Sequence, residues 1–210
     1  MKVTCISDLH GYYPSNLSGG DLLIIAGDLT ARDEFLDYHV FCGWLEEQKY
    51  TKKILIAGNH DMKLQDNLDF EFPDLGIEYL EDSGTEFMGF KIWGSPWSLW
   101  FDDINPKCSA FTGDELELNE KWEMIPDDVN ILITHTPPNG ILDDIGYEQY
   151  VGSNTLRFHV MNRIKPRIHC FGHIHEWGGR IVDCATTKFI NASHVNEQYK
   201  PVNKWIDLEL

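Results

Sequence analysis

Residues 169–179 read HCFGHIHEWGG, and a single isoleucine separates His173 from His175. Crowded imidazoles are costly unless something neutralises or coordinates them, so the stretch raises the question of a cation and of its other ligands. Four more segments offer ligand-type side chains: Asp8-Leu9-His10-Gly11, Gly27-Asp28, Gly58-Asn59-His60-Asp61, and His135 after ILIT. Each is a weak signal alone, because short motifs of this kind are common. Together they form a mixed oxygen and nitrogen donor set suited to borderline divalent metals such as Mn, Fe, Zn or Co. A thiolate site would need cysteines, and an all-oxygen calcium cage would not need imidazoles. Seven or eight ligands are too many for one such ion but fit two that share a bridge. Two metals about 3.5–4 Å apart can clamp a phosphoryl group and lower the pKa of a bridging water to give hydroxide. His173 and His175 would then each face a different ion. No serine or cysteine nucleophile is needed.

The elements that must position these residues are short apolar runs. Strands are expected over 2–7, 21–27, 52–58, 130–135, 167–172, 180–185, 188–193 and 204–210. Their nearly continuous apolar bodies fit strands buried on both faces. Five of them run directly into the ligand-type residues, at the carboxyl ends where open α/β sheets place their sites. Helices are expected over 32–49, 113–123 and 152–164, the first with a stripe of Phe35, Leu36, His39, Val40, Gly43 and Trp44. The run EFMGFKIWGSP (86–96) predicts a hairpin around its internal glycine. Residues 95–114 are too aromatic for a linker and predict a lid or wall beside a site. Strands interleaved with helices predict one layered α/β domain over residues 1–210.

Plainer roles compete for several positions. Asp28 could cap a following helix, with Thr30 as a rival cap, and Asn59 could simply form a turn. His60 could only buttress Asn59. His39, His159 and His169 read as ordinary surface or core histidines. His194, after INAS, also reads first as structural. Trp93 is expected to pack in a hairpin, whereas Trp97 and Trp100 divide evenly between packing and stacking on a base or aryl group. Arg157 and Arg180 read as surface residues.

Composition narrows the partners. The 210 residues carry a formal net charge of −17 and are 42% hydrophobic and 12% aromatic, a globular composition. Such a charge repels polyanions, which disfavours duplex nucleic acid and anionic membranes. The five cysteines (Cys5, Cys42, Cys108, Cys170, Cys184) are odd in number, lack a CxxC and read as reduced core residues. No basic-then-apolar leader opens the chain, so the expectation is a soluble cytoplasmic protein.

The series Asp8-x-His10, Gly27-Asp28, Gly58-Asn59-His60-Asp61, His135 and Gly172-His173-x-His175 resembles the calcineurin-like metallophosphoesterase superfamily, complete and in order. GSPW (94–97), WEMIPDD (122–128), ILITHTPPNG (131–140), FGHIHE (171–176) and INAS (190–193) are similar to the branch of metallophosphoesterase-domain-containing proteins. Some mammalian members of that branch carry glycine where this chain has His173. The resemblance implies an αββα sandwich of two facing mixed β-sheets flanked by helices. It implies two divalent transition-metal ions, manganese before iron, zinc or cobalt. Asp8, His10 and His175 would hold the first, Asn59, His135 and His173 the second, and Asp28 would bridge them. His60 would be a catalytic residue without a metal-ligand role, protonating the leaving oxygen or stabilising charge on the phosphoryl group. The implied activity is hydrolysis of small phosphodiesters, such as cyclic nucleotides, by a metal-bridging hydroxide, with nucleotide monophosphates as further ligands. Phosphomonoesterase activity and a non-catalytic scaffold are the alternatives.

Overall fold

The computed structural model describes residues 1–66, 70, 72–74, 76–101, 108–146 and 148–210. Central strands buried on both faces build three apolar layers from two sheets. One sheet takes β1 (Lys2–Ile6), β2 (Gly20–Ala26), β3 (Tyr50–Ile56), β4 (Ile77–Tyr79) and β13 (Ile206–Glu209), in the order β13-β1-β2-β3-β4. Its strands are parallel except for the β1–β13 pair. The other takes β5 (Ser83–Phe87), β6 (Phe90–Ser95), β9 (Ile131–Thr134), β10 (Ile168–Phe171), β11 (Arg180–Cys184) and β12 (Thr187–Asn191), in the order β11-β12-β10-β9-β6-β5. Here the four middle strands are parallel and the two edge pairs antiparallel. Short strands β7 (Ser98–Leu99) and β8 (Thr112–Gly113) pair beside them.

Side chains of one parity, including Cys5, Ile24 and Ile56 from one sheet and Ile92, Ile133 and Ile190 from the other, meet between the sheets. The opposite parity of the first sheet packs under helix α1 (Phe35–Glu47), and that of the second under α3 (Glu115–Glu123) and α4 (Asn154–His159). A one-turn helix, α2 (Met62–Gln65), follows β3. The layers are therefore helix, sheet, sheet, helix, as the resemblance implies.

Three local expectations need correction. In α1 the buried face is Tyr38, Phe41, Cys42, Trp44 and Leu45. Of the expected stripe only Trp44 is buried, and Phe35, Leu36, His39, Val40 and Gly43 face solvent. The helix starts at Phe35, where Glu34 and Asp37 form a reciprocal capping box, which settles that Asp28 is not its cap. The predicted third helix divides: α4 passes into a π turn (Val160–Ile164) that stops at left-handed Lys165. The hairpin begins earlier than its pattern suggested, at Ser83, and turns at Met88-Gly89, both with positive φ. Of the aromatic segment 95–114, residues 102–107 lie outside the described residues. Among the described residues no helix is long and apolar enough to cross a membrane.

Candidate metal centre

Parallel pairing brings the carboxyl ends of β1, β2 and β3 to one edge, and the ends of β9 and β10 in the facing sheet meet them. The two sheets are laced together there. Ser7 donates its N–H to Ala192 O (2.8 Å), and His194 donates to Ser7 O (2.8 Å). The five loops that leave this edge carry all eight candidate residues: Asp8, His10, Asp28, Asn59, His60, His135, His173 and His175. Space at the seam is tight. A Cβ on Gly58 would lie 2.3 Å from Asp28 Oδ1, and one on Gly172 would lie 2.0 Å from Asp8 Oδ2. The loops also bend sharply, because Asp8, His10, Asp28 and His173 all adopt positive φ, from 42° to 67°. Asp and His tolerate this region better than most residues, and such conformations cluster where a function requires them.

Among the described residues, Asp8, His10 and His175 bring ligand atoms within 4.8 Å of one another, as do Asp8, Asp28 and His135. His175 Nε2 stands 3.3 Å from Asp8 Oδ1. Asp28 Oδ2 lies 3.5 Å from His10 Nε2 and 3.4 Å from His135 Nε2, between the two groups. Asn59 Oδ1 is 3.0 Å from both His135 Nε2 and His173 Nδ1. Ligands about 2.0–2.2 Å from a transition ion are themselves roughly 3.0–3.5 Å apart, so this spacing fits the edges of coordination polyhedra. His10 Nε2 is buried with no hydrogen-bond partner, an orphan that a cation would satisfy. The residues present therefore fit two divalent cations, with Asp28 Oδ2 placed to touch both.

Outer contacts aim the ligand atoms. His135 donates from Nδ1 to Ala26 O (2.8 Å), which leaves Nε2 to face the site. Asn59 donates from Nδ2 to Cys108 O (3.1 Å), so its oxygen points inward. Ser193 Oγ and the His173 N–H both donate to Asp8 Oδ2, at 2.7 and 3.0 Å. Asp61 accepts from the N–H groups of Gly58 (2.8 Å) and Leu29 (3.1 Å) and so holds the turn that presents Asn59 and His60.

The protein's own groups leave a distinctive proton distribution. Burial pushes His10 down to about 4, and burial with the neighbouring His135 pushes His173 down to about 3, so both are neutral at pH 7. Burial opposes charge on His135 as well, but Asp28 and Asp8 outweigh it and carry its pKa up to about 9. His175 is raised in the same way, chiefly by Asp8. Burial would raise the carboxyls of Asp8 and Asp28, yet the facing histidines hold both well below the usual carboxylate range. On His135 a proton thus occupies a position that a divalent cation would claim.

His60 differs from the other histidines. Its Nε2 is 3.9 Å from Asp28 Oδ2, and its Nδ1 lies 3.3 Å from Cys108 Sγ. Burial disfavours its charge, but Asp28 and Cys108 lift its pKa to about 9. Its Nε2 also clusters with His10 and Asp28, so position alone leaves a ligand role open. The raised pKa and the thiol contact set it apart from the neutral His10 and His173.

Beside these residues opens a cavity of about 400 Å³, walled by Leu99, Trp100, Phe101, Ile145, Val151 and Ile174. The two undecided tryptophans separate here. Trp100 lines the cavity, whereas Trp97 donates to Asp82 Oδ2 (2.9 Å) and packs edge-on against Phe111. Neither Arg157 nor Arg180 is among its lining residues. His169 is a core residue beside Thr134, and His159 binds Asn119 on the helical face. His194 is pinned to Asn203 O (2.9 Å). Sequence reasoning placed all five cysteines in the core. Cys108 instead lines the cavity, and Ser193 and Tyr199 reach the site unannounced by any spacing.

Comparison with known proteins decides the family. Residues 1–177 match the calcineurin-like phosphoesterase family. The chain belongs to that family. It is 37% identical over its full length to human metallophosphoesterase domain-containing protein 1, covering 71% of that protein. Two solved structures share the fold. The TT1561 protein of Thermus thermophilus aligns with a TM-score of 0.61 at 15% identity, over 99% of this chain and 98% of that one. The phosphopantetheinyl hydrolase of Mycobacterium tuberculosis aligns at 0.60 and 16%, over 99% and 95%. Family membership and the Asp/His clusters make this calcineurin-like protein a metal-dependent phosphoesterase.

Proposed function

We propose that the protein is a phosphodiesterase that hydrolyses small phosphodiesters, cyclic nucleotides among them, and that residues 1–210 act as one catalytic domain. The observation that carries this reading is the cavity beside the candidate ligands. At about 400 Å³ it suits one small ligand. Its apolar wall offers burial for a second ester substituent, which a diester has and a monoester lacks. Glu176 and Glu197 also line it, which favours the singly charged diester over a monoester dianion.

Asp8, His10 and His175 would hold one divalent cation and Asn59, His135 and His173 the other, with Asp28 shared. Manganese is the ion we favour for this oxygen and nitrogen set. Bound there, the pair would supply Lewis-acid activation of the phosphoryl oxygens and of a water nucleophile. Everything else falls to the chain's own residues. The cavity wall orients the ester and excludes bulk water. His60 keeps a proton at Nε2 and delivers it to the departing oxygen. Cys108 and Asp28 hold the His60 ring in that pose. The charge of −17 supports small substrates over duplex nucleic acid, and the acting compartment in this reading is the cytoplasm.

The test is turnover of bis-p-nitrophenyl phosphate, p-nitrophenyl phosphate and 2′,3′- and 3′,5′-cyclic nucleotides by metal-stripped protein, with and without manganese. Metal-dependent preference for diesters is the expected result. Preference for the monoester would make the protein a phosphomonoesterase, and no turnover by folded, metal-loaded protein would leave a scaffold.

A further inference from the structure

One aromatic residue near the candidate ligands is held in place at a conformational cost. Tyr199 has φ 56°, in the left-handed region that bulky side chains rarely enter. Its loop is closed by hydrogen bonds that impose the bend. Tyr199 donates its N–H to Asn196 O (2.8 Å), Asn196 donates to Lys200 O (2.9 Å), and the Asn196 side chain accepts from the N–H groups of Gln198 and Lys200. At the base, Asn203 donates to His194 O, and His194 returns a bond from Nδ1 to Asn203 O. That exchange gives His194 its role, as an anchor for this loop.

The imposed bend sets the Tyr199 ring against three site imidazoles. Centroid distances are 4.9 Å to His10, 5.1 Å to His175 and 6.3 Å to His60, all with steeply inclined planes. The ring also lines the cavity that receives the candidate ligands, and it stays 41% exposed. A strained backbone that holds a large, part-exposed aromatic beside a buried polar site gains little as core packing. Strain of this kind persists where the surroundings over-determine it, and its usual use is pre-organisation of a site.

We infer that Tyr199 is a specificity-determining residue, a fixed aromatic wall that makes the site prefer phosphoryl compounds bearing a flat aromatic substituent. The inference rests on the phosphodiesterase reading for its substrate but not for its test. Aromatic contact adds to simple burial, and stacking on bases is tolerant of their identity because each has a π face. A nucleobase or an aryl ring would therefore both be accepted, and a small alkyl group would gain only simple burial from the wall.

The test compares phenylphosphonate with methylphosphonate, which carry the same phosphoryl group on a bond that hydrolysis does not cleave. Calorimetric titration into manganese-loaded protein gives the ratio of the two dissociation constants. Wild type and Tyr199→Phe are expected to bind the phenyl compound at least about fivefold more tightly. Tyr199→Ala is expected to lose most of that preference, with manganese affinity unchanged. In parallel, kcat/KM for bis-p-nitrophenyl phosphate over methyl p-nitrophenyl phosphate should fall about fivefold in Tyr199→Ala, mainly through KM. Equal binding of the two phosphonates by wild type would overturn the inference. So would a preference that survives Tyr199→Ala but disappears in Trp100→Ala, because the contact would then belong to Trp100. Weaker manganese binding in Tyr199→Ala with the preference intact would make the residue a buttress for His10 and His175. If wild type cleaves neither ester, the phosphodiesterase reading fails while the phosphonate ratio still decides the role of Tyr199.

Discussion

The two halves of the candidate centre are built differently. In the half formed by Asn59, His135 and His173, the outward atoms of two ligands are anchored to main chain: His135 Nδ1 to Ala26 O at 2.8 Å and Asn59 Nδ2 to Cys108 O at 3.1 Å. Asn59 Oδ1 is then equidistant, at 3.0 Å, from both imidazoles. The half formed by Asp8, His10 and His175 has less of this. Its Asp8 is gripped by Ser193, but His10 Nε2 has no hydrogen-bond partner, and His175 sits in a single 3-10 turn against Tyr199. One half is organised by the fold before any ion arrives. The other has one hydroxyl gripping Asp8 and leaves His10 Nε2 without a partner. Tighter binding is therefore expected in the Asn59 half.

The largest effect should come from the residue the halves share. Asp28→Asn removes the carboxylate between them and, with it, several kcal/mol of charge stabilisation, or about a thousandfold in kcat on a diester. Elemental analysis of the purified variant should also find fewer than two ions per chain. Breaking only the weaker half should be milder. Ser193→Ala removes a donor to Asp8, so the affinity of one of two manganese sites should drop about 10–100-fold while the other is unchanged. Equal weakening of both sites would refute the division.

Proton release sharpens the comparison. Coordination by Nε2 requires a neutral His135, whose pKa is about 9. Below that value a proton must leave, so affinity for the Asn59-half ion should rise with pH, about tenfold per unit, and level off above about 9. A pH-independent affinity between 6 and 8 would contradict the assignment. The smallest expected effect lies behind the site. His169 in β10 is held neutral by burial, with a pKa of about 3 against an ordinary 6.5. A depressed folded-state pKa means that its stabilising contribution is complete above about 6.5 and is lost as pH falls toward 3. Between pH 6.5 and 4.5, His169→Gln should lose about 2 kcal/mol less unfolding free energy than wild type, by denaturant titration.

The arrangement of layers was legible because the strands that matter are short and almost wholly apolar. Runs such as LLIIA and ILIA, each ending in a glycine turn, fit central strands, and a parallel sheet gathers their ends. For the same reason all eight candidate residues could be named from the positions directly after those runs. The face of α1 was misread because apolar residues occur all round it, and spacing could not show that Tyr38 and Phe41, not Leu36 and Val40, meet β2 and β3. Strand β4 is only three residues long and carries no alternation to detect. Ser193, Cys108 and Tyr199 were missed for a different reason. Their roles depend on loops that return to the site from distant segments, and Ser193 meets Asp8 across 185 positions. The repeated asparagines of 196–203 are the one sequence sign that this last loop is braced.

The central claim is that one chain holds two cations joined through Asp28. Electron paramagnetic resonance of the protein titrated with manganese tests it most directly. The account predicts two ions per chain at saturation and an exchange-coupled dinuclear spectrum that Asp28→Asn abolishes. Saturation at one ion, or two ions with only uncoupled six-line signals, would contradict it.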